Sequence, residues 1–553
     1  MQEVQPDSDG MNLATVWEAV AAAVPSAPAL IHTTLTRTWA EFEDRAARLA
    51  AYLVASGLGP GSNLALYMYN GPEYIESTFG AFKLRAATLN VNYRYLEDEL
   101  QYLFENSQAE AVVFAAEFSD RLNAVRASLP LLTTFVCVGA TEEHSVPEWA
   151  SDYEKVIEQT APMPAISRSG DDLWLLYTGG TTGNPKGVMW PHRSLLGTAK
   201  TTFAVVDCRI PETAEQVAVG VRRFHERSKA VRFLPAAPLM HGTSAIASLA
   251  VLSVGGCVVT LDSHSFNGDE LCEAVQNNAV TQLTIVGDAF AKPILAALEK
   301  AQAAGTPYDI SSLKVILSSG VMWSQQTKDQ ILEWCGATLA DTLGSSEGVG
   351  FANSVAKRNQ PAQTARFTLG EHARVIDDDG QDVVPGSGQR GLLAVGGPIP
   401  IGYFRDPVKT AATFRNLNGQ IWSVPGDFAT VESDGTIQLL GRGSACINTA
   451  GEKVYPEEVE EVLKLNSLVR DANVVGMADE KWGQSVQAVV SLREGVLEEE
   501  LPTPAALIEF TKSRLAGYKC PKRVLIVGEV LRGPNGKPDY KWASAELLAS
   551  LAD

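Results

Sequence analysis

The sequence predicts an α/β protein with a large N-terminal domain, made of two α/β subdomains plus a β-barrel, and a small α+β C-terminal domain. Three observations lead to this class. The chain has 553 residues, 45% hydrophobic and 20% charged, so it is long enough for more than one core. Apolar strands alternate with amphipathic helices in the first 160 residues and again from about residue 230 to residue 345. The pattern then changes near residue 370 and again near residue 443.

The first subdomain is predicted from alternation within residues 1–160. Residues 39–49 place apolar side chains at helical spacing, whereas residues 63–68 and 111–114 are uninterrupted apolar runs. Such runs are typical of buried parallel strands.

The same alternation returns from about residue 230 to residue 345. Strands are predicted at 281–286 and 313–318, with a helix over 289–304 between them. A second α/β subdomain follows from this repetition of the pattern.

One uncharged segment, Ser244–Leu261, is long enough to raise the question of a membrane span. Gly255 and Gly256 interrupt it, and the β-branched run after them is strand-like. We therefore expect a buried helix that leads into a buried parallel strand.

Residues 370–440 consist of short alternating runs separated by Asp-Asp-Gly, Pro-Gly and Asp-Gly turns. This pattern is typical of hairpins, and we expect them to form the barrel. After Gly443 the composition becomes charged and mixed, which puts the domain boundary near Ser444 and the two domains at residues 1–443 and 444–553.

Charge and cysteine content exclude several classes of protein. The formal net charge is −20 and the sequence pI is about 4.9, which disfavours nucleic acid and stable membrane insertion. Seven cysteines show no ligand pair or disulfide framework, and the acidic start lacks a secretory signal. Both features favour a reducing cytoplasm.

The most informative segment is Asp172–Gly187, an apolar strand that leads into a loop of Gly, Thr, Asn, Pro and Lys. Backbone N–H groups, the hydroxyls of Thr178, Thr181 and Thr182, and the Lys186 ammonium suit polyphosphate oxygens. A flexible surface loop is the plain alternative. A Walker P-loop is excluded because no Lys-Ser/Thr pair stands at the required distance from the glycines.

This loop resembles the phosphate loop of the adenylate-forming superfamily, Thr-Ser-Gly-Thr-Thr-Gly-x-Pro-Lys-Gly, with Gly179 where that family commonly has Ser. Further motifs follow in the family's order, so the chain is identified as a member, an AMP-forming acyl-CoA synthetase. The resemblance implies ATP, Mg²⁺ and coenzyme A as cofactors or co-substrates, and a carboxylic acid as the small-molecule partner. It also implies ATP contacts from Thr178, Gly179, Gly180, Thr181, Thr182, Gly183 and Lys186.

Two motifs extend the resemblance toward the acyl group and the metal. Pro238–Gly242 matches the segment that places His241 beside the acyl pocket, although His241 alone is more typical of a hydrogen-bonded core histidine. Asp341–Gly348 looks like the aromatic-Gly-x-Thr-Glu motif, in which Glu347 holds Mg²⁺. Leu343 replaces the usual aromatic residue. The remaining adenine and phosphate contacts implied are Ser319, Gly320, Val321, Asp341, Gly344 and Ser346.

The segment Gly344–Gly348 also fits the Gly-x-Ser-x-Gly nucleophile elbow of α/β-hydrolases. That fold needs an acid and then a histidine after the serine. The only later histidine is His372, and no Asp lies between Ser346 and it, which disfavours a hydrolase.

Later motifs concern ribose and coenzyme A. The resemblance implies that Asp427 and Arg442 contact the ribose and that Ser444 is an interdomain hinge. Gly451 would let pantetheine approach the backbone, and Lys453 is implied to bind coenzyme A.

The last motif, Arg532–Lys537, resembles the Pro-x-x-Gly-Lys loop that carries the family's catalytic lysine. Lys537 in isolation would be a solvated surface group; the motif makes it a catalytic candidate with Glu347 and His241. The resemblance also makes residues 1–443 an adenylation domain and residues 444–553 a mobile domain. We expect Glu457, Glu458 and Glu460 to form a solvated helix face.

Residues 177–183, 286–290 and 443–449 look most like actinobacterial-type fatty acid and steroid side-chain acyl-CoA ligases. Small residues at Ala236, Ala237 and Gly242 suit a bulky acyl group, but they also simply permit close packing. The acyl acceptor could instead be a carrier-protein thiol, oxygen as in luciferases, or an internal group in β-lactone closure. The substitutions at 179, 343 and 444 leave open a nucleotide-binding protein without catalytic activity. A homodimer also stays open.

Overall fold

The computed structural model describes residues 11–178, 185–205, 209–227, 230–320, 323–358, 366–442, 447–449, 452–479, 483–493, 501–515, 517–533 and 536–550. The chain divides into two compact units, which we call the first and the second unit. The first comprises Met1–Ala362 and Val395–Ser423, and the second comprises Gln363–Ala394 and Val424–Asp553. The domain boundary between residues 443 and 444 stays a prediction, and both residues lie outside the described parts.

Helices are distributed along both units. In chain order they are α1 (Leu13–Ala23), α2 (Trp39–Ala55), α3 (Pro72–Lys83), α4 (Glu97–Ser107), α5 (Ser119–Val125), α6 (Tyr153–Gln159), α7 (His192–Thr198), α8 (Lys200–Val205), α9 (Ala214–Arg227), α10 (Gly242–Ser253), α11 (Gly268–Asn278), α12 (Gly287–Ala303), α13 (Gln325–Trp334), α14 (Pro407–Thr413), α15 (Pro456–Lys464), α16 (Pro504–Lys512) and α17 (Tyr540–Ala549).

Strands before residue 210 belong mainly to the predicted first subdomain. They are β1 (Pro28–His32), β2 (Leu35–Thr38), β3 (Asn63–Tyr67), β4 (Ala87–Asn90), β5 (Ala111–Ala115), β6 (Thr134–Val138), β7 (Ser151–Asp152), β8 (Leu173–Thr178) and β9 (Lys186–Pro191).

Later strands are β10 (Arg232–Pro235), β11 (Cys257–Thr260), β12 (Gln282–Ile285), β13 (Val315–Ser319), β14 (Thr338–Ser345), β15 (Gly348–Ala356), β16 (Arg366–Leu369), β17 (Ala373–Ile376), β18 (Arg390–Val395), β19 (Gly402–Tyr403), β20 (Phe414–Leu417), β21 (Gln420–Ser423), β22 (Asp427–Val431), β23 (Thr436–Arg442), β24 (Ile447–Thr449), β25 (Glu452–Val454), β26 (Val469–Asp479), β27 (Gly483–Leu492) and β28 (Arg523–Val527).

The first unit contains the two α/β subdomains that the sequence predicts. One is a sheet with strand order β19-β9-β8-β4-β3-β5-β6-β7, in which β3 to β6 and β8 run parallel. The other has the order β2-β1-β11-β10-β12-β13-β14-β15, with parallel pairing from β1 to β14. Helix α2 begins at Trp39, as predicted, because Thr38 and Glu41 form a capping box.

The apolar segment after His241 folds as expected. Helix α10 is followed by Gly255, whose φ of +76° suits glycine, and then by the buried strand β11. Across the described ranges, no helix is both long enough and apolar enough to cross a membrane.

The antiparallel region differs from the prediction in one respect. In the second unit β16, β23, β22 and β18 lie side by side in that order, and β17 adds to β18. Within the described residues these strands form no closed barrel, so the predicted β-barrel is corrected to an open antiparallel sheet. Turn residues indicate which neighbouring strands pair, but closure depends on tilt and stagger across the whole sheet.

The C-terminal part of the second unit is α+β, as predicted. Strands β25, β24, β27 and β26 form a sheet in that order, and β28 pairs with β27 in parallel. A buried apolar cluster beneath this sheet includes Val459, Leu463 and Leu507 from α15 and α16.

Candidate active site

The predicted phosphate loop is the connection of a β-hairpin. Strands β8 and β9 pair in antiparallel fashion, and Thr178 lies opposite Lys186. The six loop residues 179–184, which include the predicted contacts from Gly179 to Gly183, lie outside the described residues. The end of β8 is fixed because the Asn90 side chain accepts from the Tyr177 N–H at 2.8 Å and donates to the Tyr177 carbonyl at 2.7 Å.

Asn90 also connects this hairpin to the predicted acyl segment. Its amide donates to the Met240 carbonyl at 2.9 Å, immediately before His241. The half-buried His241 is the N-cap residue of α10. The structure therefore brings the end of β8 and the Pro238–Gly242 segment together through Asn90.

Glu347 lies at the tip of the β14–β15 hairpin. Ser345 pairs with Gly348, so Ser346 and Glu347 form the connecting turn. The indole N–H of Trp190 on β9 donates to the Ser346 carbonyl at 3.0 Å. Glu347 is only 9% exposed, which places a carboxylate in a largely water-excluded position beside the β8–β9 hairpin.

Tyr403 on β19 is a site residue that the sequence reasoning missed. Its hydroxyl donates to Glu347 Oε1 at 2.7 Å, and Lys186 Nζ lies 5.2 Å from the centre of its ring. A cation at this distance from an aromatic face is attracted by the ring's quadrupole. Tyr403 thus contacts both the proposed phosphate-binding lysine and the proposed magnesium ligand.

Local sequence gave little signal for this contact because Tyr403 and Glu347 are 56 residues apart. In the structure the preceding residue, Gly402, has a φ of +147°, and an added Cβ would meet the Thr410 side chain at 2.5 Å. Only glycine suits that position, and it sets the path of β19 beside β9.

The predicted adenine contacts lie on neighbouring strands of the second α/β sheet. Ser319 ends β13 and pairs with Thr342, while Ser318 pairs with Asp341 on β14. Gly320 follows with a φ of +91°, whereas Val321 lies outside the described residues. Gly344 lies on β14, and its contact with adenine or phosphate stays a prediction.

Asp341 carries an unpredicted partner. Its carboxylate forms an ion pair at 3.3 Å with Lys328 on α13, and both side chains are buried. Lys328 Nζ also lies 5.5 Å from the centre of the Trp323 ring. The ion pair fixes β14 against α13, and an adenine contact by Asp341 stays a prediction.

Two predicted ribose residues are neighbours within the second unit. Asp427 begins β22 and lies opposite Arg442, which ends β23. The preceding residues Gly426 and Gly441 have φ values of +102° and +91°. Of the coenzyme A candidates, Lys453 lies on β25, while Gly451 and the predicted hinge Ser444 lie outside the described residues.

The expectation of a solvated glutamate face on α15 is wrong for Glu460. Its side chain is buried, and its Oε1 accepts from the Val474 N–H at 2.9 Å. Burial, together with the Glu457 carboxylate, raises the pKa of Glu460 to about 8. Glu458 pairs with Lys519 at 2.6 Å, and its side chain is only 15% exposed, so this residue is not on a solvated face either. Composition marked these residues as charged but did not show how far packing buries them.

Lys537 is exposed and lies in the segment between β28 and α17. The catalytic role of Lys537 stays a prediction.

Solved structures share this fold at low sequence identity. The chain resembles an anthranilate CoA ligase solved with anthranoyl-AMP, with a TM-score of 0.82 and 20% identity over 98% of both chains. It also resembles ATP-bound MatB from Rhodopseudomonas palustris, with a TM-score of 0.78 and 22% identity over 98% of this chain and 99% of that one.

Sequence comparison gives the family. The AMP-binding enzyme family model matches residues 17–404, and the model of its C-terminal domain matches residues 458–537. The chain therefore belongs to the AMP-binding enzyme family.

Two relatives align over nearly the whole chain. A 3-oxocholest-4-en-26-oate–CoA ligase from Rhodococcus rhodochrous is 41% identical over 98% of this chain and 97% of its own length. A medium/long-chain-fatty-acid–CoA/3-oxocholest-4-en-26-oate–CoA ligase from Mycolicibacterium smegmatis is 39% identical over 96% of each chain.

Proposed function

We propose that this protein is an AMP-forming acyl-CoA ligase that activates a fatty acid or a steroid side-chain acid. In the first half-reaction a carboxylate oxygen attacks the α-phosphorus of ATP, the bond to the β-phosphate oxygen breaks, and pyrophosphate leaves. In the second, the sulfur of coenzyme A attacks the acyl carbon, the thiol loses its proton, and AMP leaves.

The observation that carries this proposal is the Lys186–Tyr403–Glu347 arrangement beside the β8–β9 hairpin. Attack of one anion on another requires cations and N–H donors that are already in place. Lys186 at the loop's end supplies one cation, and buried Glu347 supplies a site for another. Lys537 would add a third charge during adenylation.

Mg²⁺ fits this donor set. Among the described residues, no group of three or more His, Cys, Asp or Glu side chains could hold a metal. Mg²⁺ usually takes one or two protein carboxylates together with water and phosphate oxygens. Glu347 would supply that carboxylate, and the bound ion would offset the negative charge of the phosphates. Tyr403 holds the carboxylate in place.

Two observations support the acceptor and the acid class. The relatives aligned over nearly the whole chain are named CoA ligases, which favours coenzyme A over a carrier protein or β-lactone closure. Their names include both fatty acids and 3-oxocholest-4-en-26-oate, so both acid classes belong in the proposal.

The test is to incubate the protein with ATP, Mg²⁺, coenzyme A and a panel of acids from medium-chain fatty acids to steroid side-chain acids. We expect equal amounts of AMP and acyl-CoA, and acid-dependent pyrophosphate exchange without coenzyme A. Formation of ADP, or of AMP without thioester, would contradict the proposal.

A further inference from the structure

The loop that carries Lys537 is held by hydrogen bonds within its own main chain. The Gly533 N–H donates to the Lys537 carbonyl at 2.8 Å, and the Gly536 N–H donates to the Gly533 carbonyl at 2.9 Å. Arg532 and Pro538 form an antiparallel bridge. The main chain at Lys537 is therefore closed back onto residues 532 and 533.

Arg532 attaches this loop to the sheet of the second unit. Its Nε and Nη2 atoms donate to the two carboxylate oxygens of Asp471 at 2.5 and 2.6 Å. Its Nη1 atom donates to the Gly536 carbonyl at 3.1 Å, one residue before Lys537. A bidentate pair of this kind fixes the plane of the guanidinium group as well as its position.

The other end of the attachment is rigid. Asp471 lies on β26, which pairs with β27 from Val469 to Asp479. Two residues further along β26, the buried Asn473 donates through its amide to the Leu531 carbonyl at 3.2 Å. The strand thus holds the loop at residues 531, 532 and 536.

The environment keeps the pair charged. The side chains of Arg532 and Asp471 are only 14% and 21% exposed. Burial opposes ionisation of Asp471, but hydrogen bonds from Arg532 and the nearby charges of Arg532 and Lys464 lower the pKa of its carboxyl. An ion pair in such a place is weak evidence for stability, so its geometry invites another explanation.

We infer that Asp471 and Arg532 are positioning residues for adenylation, which hold the main chain of Lys537 where its ammonium group meets the reacting phosphates. This inference rests on the proposed function and on Lys537 as its adenylation lysine. Misplacement of a catalytic group by about 1 Å costs on the order of 100-fold in rate, which gives the expected scale of the effect.

The first experiment compares full-length Arg532→Gln and Asp471→Asn with the unmodified protein in the two half-reactions. We expect pyrophosphate exchange to fall roughly 10- to 100-fold, while thioester formation from supplied acyl-adenylate stays within about twofold. Arg532→Lys keeps the positive charge but loses the bidentate geometry of the guanidinium group. Its rate of pyrophosphate exchange should lie between those of the unmodified protein and Arg532→Gln. Equal losses in both half-reactions would overturn the inference in favour of a purely structural role.

Arg470→Gln is the matched control. Arg470 is the neighbour of Asp471 on β26 and pairs at 3.5 Å with Glu529, whose side chain is 71% exposed. We expect this variant to retain both half-reactions, and a loss equal to that of Arg532→Gln would overturn the assignment to the Asp471–Arg532 pair.

The second experiment combines Arg532→Gln with Lys537→Ala. If Arg532 acts through Lys537, the double variant should exchange pyrophosphate no more slowly than Lys537→Ala alone. Losses that multiply would show that Arg532 acts elsewhere, and a Lys537→Ala variant with full activity would overturn the inference directly.

Hydrogen exchange separates this inference from the proposed function. In Arg532→Gln, the amides of Gly533 and Gly536 should exchange at least several-fold faster than in the unmodified protein. Unchanged exchange would overturn the positioning role. If the unmodified protein activates no acid, the proposed function fails, while the exchange measurement still decides whether Arg532 holds the loop.

Discussion

Glu347 in the first unit and Lys537 in the second differ in burial and in what fixes them. Glu347 is 9% exposed, lies at the tip of a hairpin and accepts a hydrogen bond from Tyr403. Lys537 is exposed, and the contacts described for it fix the main chain of its loop through Arg532. A group that takes part in both ATP binding and the chemical step interacts more strongly with charge in a rigid site from which water is excluded. A group needed in one half-reaction can be carried on the surface of a separate unit.

Glu347→Gln should have the largest effect. The amide can still accept from the Tyr403 hydroxyl, so the turn should persist while the negative charge is lost. We expect adenylation to slow on the order of 10³-fold, the upper range for one preorganised electrostatic group. Pyrophosphate exchange measured across Mg²⁺ concentrations checks this, and a loss below tenfold would argue against Glu347 as the magnesium ligand.

Lys537→Ala should have an effect of similar kind but confined to one step. We expect adenylation to fall on the order of 10²- to 10³-fold, while thioester formation from supplied acyl-adenylate is spared. Separate assays of the two half-reactions provide the measurement. Equal losses in both half-reactions would contradict the expected difference between Lys537 and Glu347.

Tyr403→Phe tests whether the hydrogen bond to Glu347 in the first unit matters for adenylation. It removes the hydrogen bond to Glu347 and leaves the ring beside Lys186. Loss of such an orienting contact usually costs 10- to 100-fold, and we expect roughly tenfold in adenylation. Tyr52→Phe is the control, because Tyr52 makes a similar 2.7 Å hydrogen bond to Ser151 in the same unit. Equal losses in both variants would count against a specific role for Tyr403.

Glu460→Gln tests the buried carboxyl on α15 of the second unit. It should have the smallest effect of these variants, and that effect should be on stability. Because the folded-state pKa of about 8 lies above the ordinary value of 4.5, this group's contribution to stability is present below pH 4.5 and is lost as pH rises through 8. The neutral amide escapes that loss.

The variant's melting temperature should therefore gain on the unmodified protein between pH 5 and pH 8, by about 2–4 °C for each kcal/mol. Glu509→Gln, at a side chain that is 70% exposed on α16, is the control. An unchanged difference between the two pH values would contradict the assignment.

Periodicity was sufficient for elements such as α2, α12, β3 and β13, and for the presence of two α/β subdomains, because helix and strand spacing are local properties. It predicted α10 and β11 correctly from Gly255 and the β-branched run after it. The prediction of a β-barrel was wrong, because closure of an antiparallel sheet depends on the stagger of all its strands together.

The motifs led to the predictions for Lys186 and Glu347, but they did not indicate which side chains contact these segments. Tyr403 and Trp190 reach Glu347 and Ser346 across 56 and 156 residues. Lys328 and Glu460 look like surface charges in the sequence, and tertiary packing buries both. Such contacts depend on three-dimensional neighbours that no local pattern records.

In the proposed reaction a carboxylate oxygen of the acid becomes bonded to the α-phosphorus of ATP. An acid labelled with ¹⁸O in its carboxylate tests this directly, with mass spectrometry of the released AMP after thioester formation. We expect one ¹⁸O atom in AMP, because the thiol cleaves the acyl carbon–oxygen bond. Unlabelled AMP, or ¹⁸O in inorganic phosphate, would contradict it.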